Sequence, residues 1–187
     1  MKTKLSLLAL TILATGCATT TQHASHNKHW SYTGQEGPEY WGALDPKYST
    51  CDKGLNQSPI NLTGFIESDL SPLELEYKLG GHEILNNGHT IQVNYQAGSK
   101  LSVNGHFYEL KQFHFHSPSE NHIDGKSYPM EMHLVHTDVE GNLAVVAVVF
   151  EEGNKNETLK EIWNTMPEMA GNKKALPSDH LISRKLL

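Results

Sequence analysis

The sequence predicts a mainly β fold of α+β type, with a large central, mostly antiparallel sheet and a few short helices. Three observations carry this expectation. Apolar and polar residues alternate in short runs from Thr90 onward, the period of half-buried strands. Asn104-Gly105 sits between Leu101-Ser102-Val103 and His106-Phe107-Tyr108, a strong hairpin signal. Only one segment, Glu157 to Met166, carries helical spacing, with Leu159, Ile162, Trp163 and Met166 on one face and Pro167 closing it.

Taken in chain order, residues 1–16 have the anatomy of a secretory signal. Lys2 and Lys4 precede an apolar run, Leu5 to Leu13, too short to span a bilayer, and small residues follow. Ala14-Thr15-Gly16-Cys17 resembles the lipobox of bacterial lipoproteins, which implies lipidation of Cys17. Residues 17–28 are polar and read as a flexible tether. The chain is therefore expected to be exported, periplasmic or membrane-anchored, touching a membrane only through a lipid on Cys17. Residues 29–187 read as one domain. It opens on an arm rich in aromatics, Gly and Pro as far as Tyr48, then passes into strands. Lys111 to His116, Pro129 to His136 and Leu143 to Phe150 continue the strand pattern, and the last, almost unbrokenly apolar, reads as a central strand.

Composition narrows the function. With 187 residues and a net charge of −6 there is no basic stripe for nucleic acid. Two cysteines exclude a disulfide-dense scaffold and a four-thiolate zinc site. Twelve histidines, against fifteen Lys and Arg together, direct attention to metal chemistry.

In Gln112-Phe113-His114-Phe115-His116, strand alternation sends Gln112, His114 and His116 to one face and the two phenylalanines to the other. In Glu131-Met132-His133-Leu134-Val135-His136, Glu131, His133 and Val135 share a face opposite Met132, Leu134 and His136. His114, His116 and His133 thus offer three neutral nitrogens, and zinc catalysis typically uses three protein ligands with one position left over. His136 competes as third ligand but lies with Met and Leu. His122 sits in a loop and is weaker still. Copper is the alternative metal, since His-x-His on a strand suits it, but no convincing further ligands are found.

Several segments, in order, then resemble one family. They are His29-Trp30-Ser31-Tyr32, Gly37-Pro38-Glu39-Tyr40-Trp41, Gln57-Ser58-Pro59-Ile60-Asn61, Asn86-Asn87-Gly88-His89, the two histidine strands, and Ser119-Glu120. Together they resemble an exported bacterial carbonic anhydrase of the α class. The resemblance implies zinc on His114, His116 and His133, with Gln112 and Glu131 orienting the ligand rings. It implies that His89 shuttles protons and that Glu120 orients a gatekeeper threonine. Val135 and Val145 would wall the CO2 pocket, and Tyr32, Asn87 and Gln92 its polar side. The implied reaction is attack of zinc-bound hydroxide on carbon dioxide, release of bicarbonate, and export of the proton.

The family pattern continues past Leu187 with further strands, the gatekeeper threonine and a cysteine that would pair with Cys51. C-terminal strands are accordingly expected to be missing from this chain, leaving Cys51 without its partner and the chain prone to misfolding or aggregation. A non-catalytic zinc-binding lipoprotein is the alternative function.

Overall fold

The computed structural model describes residues 29–177; Cys17 and both N-terminal segments lie outside the described residues. The chain divides between Asp52 and Lys53 into two compact units. The first holds the aromatic arm, built from single turns at Gly34–Glu36, Pro38–Tyr40 and Pro46–Tyr48 and a short helix at Trp41–Leu44, and ends within a second short helix, Thr50–Lys53. Trp41 is its anchor: the indole Nε1 donates to the carbonyls of Ser31 (2.9 Å) and Glu36 (3.0 Å), and Trp30 and Tyr32 pack edge-on against its ring. Such a side chain combines a large apolar area with a donor that must be satisfied.

The second unit holds ten strands: β1 (Asn61–Leu62), β2 (Glu74–Glu76), β3 (Gly81–Asn86), β4 (Ile91–Tyr95), β5 (Lys100–Val103), β6 (His106–His116), β7 (His122–Ile123), β8 (Met130–Thr137), β9 (Leu143–Phe150) and β10 (Lys173–Ala175). β1 and β7 make a small parallel pair. The other eight form one antiparallel sheet organised about the long strand β6. One edge of β6 is shared, its first half pairing with β5 and its second with β4; β3 and β10 follow beyond β4, and β2 beyond β5. The other edge pairs with β8 from Glu109 to His116, and β8 pairs with β9. The hairpin at Asn104-Gly105 forms as expected, with φ of 52° and 79°, the left-handed values that Asn and Gly tolerate.

A β-bulge interrupts β6. Leu110 pairs with His136 and Gln112 pairs with Val135, so Lys111 is an extra residue. Beyond it the alternation is regular. Phe113, Phe115, Met132 and Leu134 enter the core with Ile84, Val93 and Ile162. The helix Glu157–Thr165 closes this face, with Trp163 edge-on to Phe115 at 4.9 Å. Asn156 caps it, its side-chain oxygen accepting from the N–H groups of Thr158 and Leu159. Met166, expected on the packed face, lies just past the helix end and is exposed. No helix among the described residues is long and apolar enough to cross a membrane.

β9, read as a central strand, pairs only with β8 among the described strands. Its apolar run has two roles. Val146, Val148 and Phe150 pack on the core, while Leu143 and Val145 on the opposite side are 68% and 52% exposed.

Candidate metal centre

The face of the sheet away from the helix carries the histidines. His114 on β6 and His133 on β8 are paired in register, and His116 lies one step further along β6, opposite Glu131. The ring centroids lie 4.9 Å (His114–His116), 5.4 Å (His114–His133) and 4.6 Å (His116–His133) apart. One nitrogen from each ring falls within 4.8 Å of the others. His136 takes no part. It is fully buried on the core side, 2.7 Å from the Tyr77 hydroxyl and 3.2 Å from the Ala144 carbonyl, as its place beside Met and Leu foretold.

The surroundings decide which nitrogen each ring presents. Gln112 Oε1 lies 2.8 Å from His114 Nδ1 and, being an acceptor, places the proton there, which leaves Nε2 as the donor atom toward an ion. Glu131 Oε1 lies 3.3 Å from His133 Nε2, leaving that ring to offer Nδ1. Burial, reinforced by the neighbouring imidazoles, pushes the pKa values of His114 and His116 down to about 4, so both are neutral at ordinary pH.

Glu131 is fully buried, yet burial does not neutralise it. Its Oε2 accepts from the backbone N–H groups of Glu120 and Asn121, each at 2.8 Å, and its Oε1 from the Asn121 side-chain amide at 2.6 Å. Burial alone would raise its pKa, but these donors hold it below the usual value. Glu120 differs. Burial, and secondarily the charge of Glu131, pushes it up to about 7, and its Oε2 lies 3.3 Å from His116 Nε2 and 3.9 Å from His133 Nδ1.

The donor set fits zinc. It offers three imidazoles, with acceptors behind two of them fixing the ring orientation, and a fourth tetrahedral position remains. Beside His133 a cleft of about 560 Å3 is lined by Ile60, Leu62, Ile123, Val145 and Val149, together with Glu120 and Glu131. Val145 faces this cleft, while its ladder partner Val135 is half-buried and not part of the lining.

The remaining expected residues fall in three places. Gln92 pairs with His114 across β4–β6, so it shares the histidine face, and its amide donates to Asn94 Oδ1 at 2.7 Å. Asn87 holds the turn before it, accepting the backbone N–H groups of His89 and Thr90 on its side-chain oxygen, and so fixes His89 at the end of this polar row. Tyr32 belongs to the N-terminal unit and packs there against Trp30 and Trp41. Cys51 is exposed and forms no disulfide among the described residues.

Two functional groups went unread in the sequence. Asn94 lies two residues beyond Gln92 on β4 and was available from strand alternation. Asn121 directly follows Ser119-Glu120, but its grip on Glu131 depends on a loop folding back over β8, for which no local signal exists.

The comparisons with known proteins agree with this geometry. The family profile described as eukaryotic-type carbonic anhydrase matches residues 36–187. A carbonic anhydrase of Klebsiella pneumoniae is 48% identical over 172 residues, spanning 91% of this chain and 68% of that protein. One from Neisseria gonorrhoeae is 46% identical over 169 residues, spanning 90% and 67%. Among solved structures, a hyperthermostable carbonic anhydrase from an active hydrothermal vent chimney superposes with a TM-score of 0.81 at 48% identity, covering 85% of this chain and 71% of that one. The α-carbonic anhydrase of Thermovibrio ammonificans, in complex with sulfanilamide, gives 0.81 at 42% identity, covering 86% and 71%.

Proposed function

This chain belongs to the eukaryotic-type (α) carbonic anhydrase family, lyases that interconvert carbon dioxide and bicarbonate, and we propose that it does so with zinc held by His114, His116 and His133. The observation that carries this reading is the convergence of three imidazoles, two of them backed by Gln112 and Glu131. When bound there, zinc supplies a Lewis acid that makes water a nucleophile near neutral pH.

The chain's own groups supply the rest. Gln112 and Glu131 fix the donor atoms of His114 and His133, and neutral rings leave the full charge of the ion to act on water. Val145 offers an apolar wall beside His133 suited to an uncharged substrate. Gln92, Asn94 and Asn87 form a polar row at the other side of the histidines. His89, at its end, is the group we assign to accept the proton released in hydration and hand it to solvent, as an imidazole can near neutral pH.

Stopped-flow CO2 hydration tests this with zinc content measured in parallel. His114→Ala is expected to lose most of the zinc and at least about a hundredfold in rate, because one of three ligands is gone. Full activity in that variant would overturn the reading. The alternative of a zinc-binding protein without turnover predicts zinc in the wild type and no hydration. His89→Ala is expected to slow turnover mainly in dilute buffer, with recovery on adding imidazole.

We further propose that residues 1–16 direct export and that Cys17 carries a lipid, supported by the charged start, the short apolar run and the Ala14-Thr15-Gly16-Cys17 motif. A lipid-bearing N-terminal Cys17 in the membrane fraction is the expected mass-spectrometric result; an unmodified Met1 would overturn it.

A further inference from the structure

A chain of hydrogen bonds crosses the histidine face of the sheet, and its donors all point one way. His89 and Thr90 donate their backbone N–H groups to Asn87 Oδ1 at 2.9 and 2.8 Å. Asn87 Nδ2 donates to Gln92 Oε1 at 3.5 Å, Gln92 Nε2 to Asn94 Oδ1 at 2.7 Å, and Asn94 Nδ2 to Glu83 Oε1 at 3.0 Å. Lys173, on β10, closes the far end with its Nζ 2.9 Å from Glu83 Oε2. Strand register lays this row beside the metal centre. Glu83 pairs with Asn94 and Asn94 with Gln112, while Gln92 pairs with His114.

An amide side chain carries a donor and an acceptor and fits either way round, so its neighbours decide which way it faces. Both ends of this row decide in the same sense. The backbone N–H groups of His89 and Thr90 can only donate, so Asn87 turns its oxygen to them and its nitrogen toward Gln92. The carboxylate of Glu83 can only accept, so Asn94 turns its nitrogen to Glu83 and its oxygen toward Gln92. The hydrogen bond from Lys173 holds the Glu83 carboxyl below the usual carboxylate range and so keeps it an acceptor. Gln92 has one orientation that satisfies both neighbours, and it adopts that one.

We propose that Glu83, oriented by Lys173, is a positioning residue: it sets the direction of the Asn94–Gln92–Asn87 row and through it holds the turn that carries His89. This rests on the assignment of His89 as proton acceptor made above. An ion pair at the surface adds little stability, and what this one supplies is direction. In Glu83→Gln, Lys173 can still only donate, so it draws the new amide oxygen to itself and leaves the nitrogen facing Asn94. Asn94 must then turn, Gln92 after it, and two nitrogens meet between Gln92 and Asn87. Adding Asn94→Asp cures the fault, because a carboxylate at that position accepts from both sides and points Gln92 back. The net charge of the double variant equals that of the wild type.

The test is amide hydrogen exchange by NMR on the full chain, with CO2 hydration in parallel. In Glu83→Gln the N–H groups of His89 and Thr90 are expected to exchange at least about fivefold faster than in the wild type, the scale of one net hydrogen bond. Glu83→Gln/Asn94→Asp is expected to move the rates back toward the wild type. Turnover in dilute buffer should fall several-fold in Glu83→Gln, with kcat/KM and zinc content unchanged, and recover on adding imidazole. Unchanged exchange in Glu83→Gln, or a double variant no nearer the wild type than the single, would overturn the proposal. Faster exchange with unaltered turnover in dilute buffer would make the row a structural element only and overturn it too. A wild type that hydrates no carbon dioxide would instead overturn the assignment of His89, and the exchange pattern would still decide whether Glu83 directs the row. Should Glu83→Gln not fold, Asn94→Leu, which cuts the row while keeping Glu83 and Lys173, must show the same faster exchange.

Discussion

Asn121 donates its side-chain amide to Glu131 Oε1 at 2.6 Å, while its own side-chain oxygen accepts the backbone N–H of Ile60 at 2.8 Å. One amide thereby couples the segment leading into β1 to the carboxylate behind His133.

Asn121→Ala is expected to weaken zinc binding about 10–100-fold, the usual effect of losing a group that orients a ligand. The fully buried Glu131 would lose one of its three donors and the ring of His133 would lose its fixed backing. Competition with a chelator of known affinity measures this, and an unchanged zinc constant would contradict it.

Phe113 is completely buried between Tyr95 and Phe115, and it anchors β6 at the step between Gln112 and His114. Phe113→Ala is expected to cost about 3–5 kcal/mol in urea unfolding. A loss under about 1 kcal/mol would mean that the helix side of the sheet is not the core described above.

His136 links stability to pH. Burial lowers its pKa from 6.5, although the carbonyls of Ala144 and Leu134 partly oppose the shift. Below pH 6.5 the unfolded chain takes up a proton that the folded chain resists, so unfolding is favoured. The contribution is fully present above 6.5 and is lost as pH falls toward the lowered folded value. Urea midpoints of wild type and His136→Gln compared between pH 5 and 7 should show a smaller acid loss in the variant. Parallel profiles would rule out His136 as a source.

Leu143 opens β9, which has one pairing partner among the described strands, with its side chain 68% exposed. Strand edges of this kind template association unless charged residues blunt them. Leu143→Lys is expected to reduce light scattering at a given protein concentration while leaving the zinc constant unchanged. Equal scattering would place self-association elsewhere.

Much of this molecule is readable without coordinates, and the reason is periodicity. Alternation alone separates His114 and His116 from Phe113 and Phe115, and it assigns His133 and His136 to opposite faces, as the buried Tyr77–His136 pair bears out. Asn104-Gly105 and the 3-4 spacing of Leu159, Ile162 and Trp163 are equally local. What escaped depends on contacts between distant segments. Asn121 meets Glu131 only because a loop returns over β8. Glu120 is visible as a motif residue, but its approach to His116 and His133 is a matter of where a side chain turns.

The extra residue Lys111 acts like a shift of reading frame within a strand. Before it, even positions such as Leu110 face the dry interior; after it, the even positions Gln112, His114 and His116 face the opposite way. A single strand can therefore change which parity of residue faces the core, Leu110 before the extra residue and Phe113 and Phe115 after it, with no break in its backbone. Deleting that one residue would leave every other residue in place in the sequence while inverting inside and outside for half of β6, so this position is among the least dispensable in the chain even though its own side chain faces solvent.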